Sequence, residues 1–243
     1  MKYGRILSKI FFPERCPLCG RILSITEELC FCCGKDEVKL SPNCCEHCGN
    51  EKELCSCERK YSSALPHITG AFVYDGFVQN KLLFFKFGGH RYLYRFFGDS
   101  LSERIAITFA RTDFDTVTFV PASKGSTKAI DYNPSQLIAE RTAKRLFLPC
   151  KELLFKSRET EKQHKLNARE RFTNVKDSFS AKDGAEIKGR TILLCDDIKT
   201  TGATLKECSD VLFSMGARDV YCAVVAVTSN LNLFDLDKRD KIK

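Results

Sequence analysis

Residues 191–205 read TILLCDDIKTTGATL, and the reading of this stretch decides the fold. Ile192, Leu193, Leu194 and Cys195 form an unbroken apolar run of strand length, the pattern of a strand buried on both faces of a parallel sheet. Asp196 and Asp197 follow at once, so the strand is expected to close at two adjacent carboxylates. Beyond Ile198 and Lys199 come Thr200, Thr201, Gly202, Ala203 and Thr204, small or hydroxylated residues that lead into an apolar-periodic helix over 205–215. A loop of this kind at a helix start wraps a phosphate in backbone N–H groups and hydroxyls, helped by the helix dipole. The neighbouring acids suit the hydroxyls of a sugar carrying that phosphate. A Walker loop needs Gly-Lys-Ser/Thr after a glycine-spaced turn, and no such sequence occurs, so nucleotide hydrolysis is not the first expectation.

Outward from this core, residues 220–227 form a second buried strand after the stop at Gly216. Residues 115–120 are β-branched and end at the loop Pro121-Ala122-Ser123-Lys124-Gly125-Ser126, and residues 136–147 carry helical spacing. In a doubly wound sheet the loops at the carboxyl ends of strands share one crevice, so the 121–126 loop is placed to meet the Asp196-Asp197 loop. Residues 70–74 make a further strand, Asp75-Gly76 a turn, and 77–87 a helix. From Lys81 to Phe97, Lys81, Lys86, His90, Arg91 and Arg95 interleave with seven aromatics. Bases stack on such rings while cations neutralise phosphates; an amphipathic helix pair that buries the rings is the simpler reading.

The 243 residues are 43% hydrophobic, enough for one sizeable core plus a small appended module. The formal charge of +8 favours polyanions such as nucleic acid or polyphosphorylated metabolites. Ten of the 14 cysteines lie within residues 16–57. Their grouping, Cys16-Pro-Leu-Cys19-Gly, Cys30-Phe-Cys32-Cys33-Gly, Cys44-Cys45-Glu-His47-Cys48-Gly and Cys55-Ser-Cys57, has metal-ligand spacing rather than that of a disulfide scaffold. The most economical scheme is two structural zinc ribbons, one of Cys16, Cys19, Cys30 and Cys33, the other of Cys45, Cys48, Cys55 and Cys57. Interleaved pairing, a single zinc, or His47 in place of a thiolate remain open, and Cys32 and Cys44 are spare. The amino terminus reads as a short amphipathic helix rather than a secretion signal, and the run 220–227 is far short of the roughly 20 residues of a membrane span. The chain is expected to be soluble and cytoplasmic. Its expected division is a cysteine-rich module over 1–60, an α/β domain over 61–230 and a polar tail over 231–243.

The Asp196-Asp197 pair followed by Thr200-Thr-Gly-Ala-Thr204 resembles the ligand loop of type I phosphoribosyltransferases. That resemblance implies a doubly wound, mainly parallel sheet in which the acids meet the ribose hydroxyls and residues 199–204 hold the 5′-phosphate. Lys124 and the amides near Gly125 then stand where that family binds pyrophosphate. The charged run over 156–174 is by composition a solvated surface, but the resemblance puts a mobile flap there, with Gln163, Arg169 and Arg171. Nearly the whole chain is similar to the ComF competence family, a zinc-ribbon module fused to a phosphoribosyltransferase-like domain. The carrying residues are the cysteine knuckles, Ala71-Phe-Val-Tyr-Asp-Gly76, Lys86-Phe-Gly88, Thr160-x-x-Gln163-x-x-Leu166, Arg169-Glu-Arg171, Asn174 and the Asp196-Asp197 loop. What the resemblance implies is phosphoribosyl pyrophosphate bound with magnesium, and a role in natural transformation alongside single-stranded DNA and an uptake helicase. Two segments depart from the family pattern. Thr118-Phe119-Val120-Pro121 replaces Pro-Val-Pro, and Ile130-Asp131-Tyr132-Asn133-Pro134 replaces Arg-Gly-Phe-Asn-Gln, so an arginine and a glutamine are absent and Lys128 is the nearby cation. A DNA-binding protein with an inherited sugar-phosphate site and a purine-salvage enzyme are the alternatives.

Overall fold

The computed structural model describes residues 15, 16, 18–24, 30, 33, 39–41, 43–52, 55, 67–122, 131–158 and 175–228. The amino-terminal helix, the segment 56–66, Lys124, Gly125, Gln163, Arg169, Arg171, Cys57 and the tail over 231–243 lie outside the described residues. In chain order the elements are β1 (His67–Val73), α1 (Gly76–Phe87), a 3-10 turn (Arg91–Leu93), α2 (Tyr94–Thr108), β2 (Thr116–Phe119), α3 (Pro134–Leu146), β3 (Leu154–Lys156), β4 (Phe179–Ala181), β5 (Thr191–Lys199), α4 (Ala203–Ser214) and β6 (Asp219–Val227).

Four strands form one parallel sheet in the order β1-β6-β5-β2, and Cys150 adds a parallel bridge to Val117 on the outer side of β2. The period-two alternation of strands sorts the core into two halves. Leu193, Cys195, Ala223 and Val225 face the layer made by α1, α2 and α3, where Phe72, Leu82, Phe85, Phe97, Leu101 and Ile138 are buried. Ile192, Leu194, Val220, Cys222 and Val224 face α4 and the antiparallel β3–β4 pair. Both faces are covered, which is why β5 and β6 read as continuous apolar runs.

The chain leaves β2 toward Cys150 on one side and leaves β5 toward β6 on the other. The strand order therefore reverses between β2 and β5, and the crevice outside their carboxyl ends is where a doubly wound sheet binds ligands. β3 and β4 bracket the charged segment 159–174, itself outside the described residues.

One expectation is corrected. β5 does not close at Asp196 but runs to Lys199, with Asp196 opposite Val224 and Lys199 opposite Val227. Carboxylates survive inside a strand because each has a partner, described below. β1, α1, β2, α3, α4 and β6 begin and end within three residues of the expected positions, β1 starting earliest, at His67, whereas β3, β4 and the bounds of α2 had not been expected.

The cysteine-bearing residues pack on the β1 side of the sheet. Lys39 forms an antiparallel bridge to Phe72, with Leu40 N–H donating to Ala71 O at 3.0 Å. Arg104 of α2, 7% exposed, fastens this contact: its guanidinium donates to Leu40 O (3.2 Å), Ser41 O (2.6 Å), Thr69 Oγ1 (3.2 Å) and Cys44 Sγ (3.0 Å). Gly70 is required here, since a Cβ would lie 2.5 Å from Val227 Cγ2 and 3.1 Å from Leu40 Cδ1. Among the described residues no helix is long and apolar enough to cross a membrane.

Candidate functional site

The carboxyl end of β5 carries both acids, and neither lies open to solvent: Asp196 is 8% exposed and Asp197 6%. Asp196 Oδ1 accepts from Ser135 Oγ at 2.7 Å and from the Asp197 backbone N–H at 2.9 Å. Asp197 Oδ2 faces the Lys86 ammonium at 2.7 Å. Burial first, and then the charge of Asp197, push the Asp196 pKa up to about 7 against the opposing pull of Lys86 and the Ser135 hydrogen bond. For Lys86, desolvation alone would favour the neutral amine, but Asp197 and then Asp196 outweigh it and hold the ammonium above its ordinary range.

Local sequence explains how Ser135 and Lys86 arrive. Asn133 caps α3, its Oδ1 accepting from Ser135 N–H at 3.0 Å, while its Nδ2 donates to Val120 O at 3.0 Å. Pro134 then occupies the first turn, where a missing N–H costs nothing. The start of α3 is thus tied to the end of β2, and Ser135 falls beside Asp196. Lys86 sits in the last turn of α1, a helix capped by Asp75 Oδ1 on Gly76 N–H and held down by Val78, Leu82 and Phe85. The segment that departs from the family pattern closes over α1: Tyr132 donates to Phe85 O, its ring lies 5.7 Å from that of Phe85, and the Arg91 guanidinium lies 5.7 Å from the Tyr132 ring. Tyr74 is half-buried near Lys86 and Asp197, and its phenol pKa is raised chiefly by burial.

Beyond the acids, Lys199 is 6% exposed and its carbonyl accepts from Thr228 N–H at 3.0 Å. Thr200, Thr201 and Thr204 are half-buried, and Gly202 and Ala203 buried. Gly202 has φ +84, a left-handed conformation that glycine adopts without strain. Thr201 Oγ1 accepts from Ala203 N–H at 3.3 Å, so the loop folds back on the first turn of α4. Residues 196, 197 and 199–204 therefore lie along one strand end and one helix start. Lys86, Ser135 and Asn133 join them from α1 and α3. Sequence reading had placed Lys86 among the candidate nucleic-acid cations; the Asn-Pro-Ser start of α3 was a legible cap signal, but its target was not.

The aromatic segment divides. Leu82, Phe85, Leu93 and Phe97 are buried, as an amphipathic pair requires, whereas Phe84 is 48% exposed, Phe87 68% and Tyr92 48%. Phe84 stacks on His90 with centroids 5.2 Å apart, His90 lies 5.7 Å from Tyr92, and Lys81 Nζ stands over the rings of Phe77 (5.3 Å) and Phe84 (5.9 Å).

Two groups of thiols are assembled. The sulfurs of Cys16, Cys19, Cys30 and Cys33 all lie within 4.8 Å of one another, as do those of Cys45, Cys48 and Cys55. Tetrahedral zinc with Zn–S bonds of about 2.3 Å needs sulfurs roughly 3.8 Å apart, and the Cys19–Cys30 and Cys48–Cys55 separations are 3.5 and 3.7 Å. The first set of thiolates fits a closed structural zinc site, and the second supplies three such ligands, with Cys57 outside the described residues. The two knuckles share one backbone pattern: Cys16 N–H donates to Arg21 O and Gly20 N–H to Cys16 O, while Cys45 N–H donates to Asn50 O and Gly49 N–H to Cys45 O. Gly20 (φ +77) and Gly49 (φ +74) supply the left-handed turn in each. Cys44 is turned away, its Sγ–H donating to Ser41 O at 3.0 Å, and His47 is exposed and in neither group.

Residues 135–242 match the phosphoribosyl transferase domain. Competence protein ComFC of Bacillus subtilis is 26% identical over 204 residues, covering 80% of this chain and 82% of that protein. Competence protein F of Haemophilus influenzae is 32% identical over 91 residues, 37% of this chain and 40% of its own length. The structure of adenine phosphoribosyltransferase from Saccharomyces cerevisiae aligns with 62% of this chain and 75% of its own at 16% identity and a TM-score of 0.39. The carboxyl-terminal part of the chain thus matches a phosphoribosyl transferase domain, and most of its length is similar to a competence protein of the ComF type.

Proposed function

We propose that the crevice at the ends of β2 and β5 binds phosphoribosyl pyrophosphate, and that the protein uses this site in handling DNA in the cytoplasm. The observation that carries the reading is the continuity of Asp196-Asp197 with the Thr200–Thr204 loop at the start of α4, beside the point where strand order reverses. Carboxylates accept hydrogen bonds from a vicinal diol. The α4 amides and threonine hydroxyls receive the 5′-phosphate. Lys124 and Gly125 are assigned the diphosphate, and Gln163, Arg169 and Arg171 the flap that excludes water. Magnesium, when bound with the ligand, neutralises charge on the departing diphosphate. The buried acids would favour positive charge developing at the anomeric carbon as the bond to diphosphate breaks and an acceptor lone pair enters. Both cysteine groups are assigned structural zinc.

Binding and turnover are separated by two measurements. Calorimetric titration with magnesium and phosphoribosyl pyrophosphate should show saturable binding that is lost in the Asp196→Asn/Asp197→Asn protein. Pyrophosphate release is then followed with nucleobases, ammonia and single-stranded DNA as acceptors; release with a free purine alone would indicate salvage. Binding without release for any acceptor would eliminate transfer, and no binding at all would eliminate the reading.

The exposed Phe84–His90–Tyr92 ladder flanked by Lys81 favours a second role, stacking of single-stranded DNA bases, with an uptake helicase as the partner class. Alanine at Phe84, Phe87 and Tyr92 should then abolish oligonucleotide binding while leaving sugar-phosphate affinity intact.

A further inference from the structure

Two acids share the site, but the protein treats them differently. Asp196 is fixed from within the fold, by the Ser135 hydroxyl and by the next backbone amide. Asp197 is met instead by a lysine from a separate helix, at 2.7 Å and with 27% of the lysine side chain still accessible. That helix does not depend on the ion pair for its place. Its apolar face is buried through Val78, Leu82 and Phe85, Asp75 caps its start, and Gly88 N–H closes its end on Phe84 O at 2.8 Å. The lysine stem can therefore swing while α1 stays docked. A diol taking both acids would compete with Lys86 for Asp197, whose Oδ2 the lysine now holds. In a ribose whose 5′-phosphate lies on the 200–204 loop, the 2′-hydroxyl stands on the carbon next to the one bearing the diphosphate. An ammonium displaced from Asp197 is released beside that anion.

We propose that Lys86 is an exchangeable counter-ion, held by Asp197 in the empty protein and transferred to the ligand's diphosphate when the sugar takes the acid pair. This rests on the reading of the crevice as a phosphoribosyl pyrophosphate site and adds a binding residue to it. The same positive charge serves both states. In the empty state it offsets two adjacent carboxylates, and in the filled state it offsets the ligand, so the site avoids an uncompensated charge at either stage.

Two probe ligands separate this from a purely structural lysine. Ribose 5-phosphate offers the phosphate and diol without the diphosphate; phosphoribosyl pyrophosphate offers all three. Lys86→Met and Lys86→Gln proteins, checked for folding by thermal melting, are titrated with each ligand in magnesium, alongside Lys86→Arg. The expected result is a loss of about tenfold or more for phosphoribosyl pyrophosphate, the scale of one hydrogen bond to a charged group. Ribose 5-phosphate affinity should change by less than about threefold, since it gains no contact from the freed ammonium. Arginine should recover most of the loss. Equal losses for both ligands, or no loss for either, would overturn the transfer while leaving the site reading intact. Failure of the wild-type protein to bind ribose 5-phosphate and phosphoribosyl pyrophosphate would overturn both. Should methionine and glutamine both unfold the chain, the arginine protein decides: affinity for phosphoribosyl pyrophosphate near wild type supports the exchange, and a tenfold loss confined to that ligand with an intact fold sinks it.

Discussion

Replacing Lys86 with methionine should destabilise the protein more at pH 8 than at pH 5.5. Removing one partner of a buried ion pair costs about 3–5 kcal/mol because a charge is left uncompensated. Lys86 is 27% exposed, so solvent already screens part of the interaction, and a discounted loss of roughly 2–3 kcal/mol is expected. For a chain of this size each kcal/mol moves the melting temperature by about 2–4 °C, which gives a drop of roughly 5–10 °C at pH 8. The pH dependence follows from the acids. Asp196 titrates near 7 in the folded protein against 3.8 as a free side chain. Its ionisation therefore works against the fold, and stability falls as pH rises through that window. Without Lys86 the folded value moves higher still, widening the window and deepening the loss above it. The lysine's own raised pKa means that its contribution is fully present below its ordinary value of 10.5, hence constant between pH 5.5 and 8. At pH 5.5 Asp196 is already protonated, Lys86 opposes less negative charge, and the loss should shrink to about half. The assay is melting followed by circular dichroism at both pH values, with Asp197→Asn and the double variant completing a cycle. A loss equal at the two pH values, or greater at pH 5.5, would refute the charge argument.

Two further outcomes follow from the β1 side of the sheet. Arg104→Met should strand the Leu40 and Ser41 carbonyls without their donor at a cost of roughly 2–4 kcal/mol, and limited proteolysis should then cut within residues 39–51 before the sheet domain is attacked. Withdrawal of zinc by a chelator, or Cys33→Ser, should lower the melting temperature and reduce bound zinc in elemental analysis. Cys16, Cys30 and Cys33 belong to the same core as Phe72 and Phe85, so an unchanged melting temperature would show that the metal does not support this core.

How much of this was legible in the chain depends on whether the determinant was local. β5, β6 and α3 announce themselves because each apolar run or helical stripe is continuous, and the Gly202 turn because a left-handed residue is needed between strand and helix. The end of β5 was misjudged for a physical reason. Adjacent aspartates look like a boundary unless their partners are known, and those partners are brought by tertiary contact, Ser135 from 61 residues away and Lys86 from another helix. The aromatic segment was ambiguous for the same cause: Phe84 and Phe85 are neighbours in sequence, yet one is exposed and the other buried, and only the docking of α1 decides which. Cys44 looked spare beside Cys45, and proves to be a partner of Arg104.

The antiparallel contact of Lys39 with Phe72 also bears on the fate of newly made chains. β1 is a terminal strand of the sheet, and an unshielded terminal strand invites the backbone of a second molecule to pair with it. Here the shield is a short segment with little apolar mass of its own, flanked in sequence by the two cysteine groups. If these groups hold zinc as proposed, its supply during synthesis would govern solubility as well as shape: chains made in zinc-starved cells would expose that strand and accumulate as aggregates.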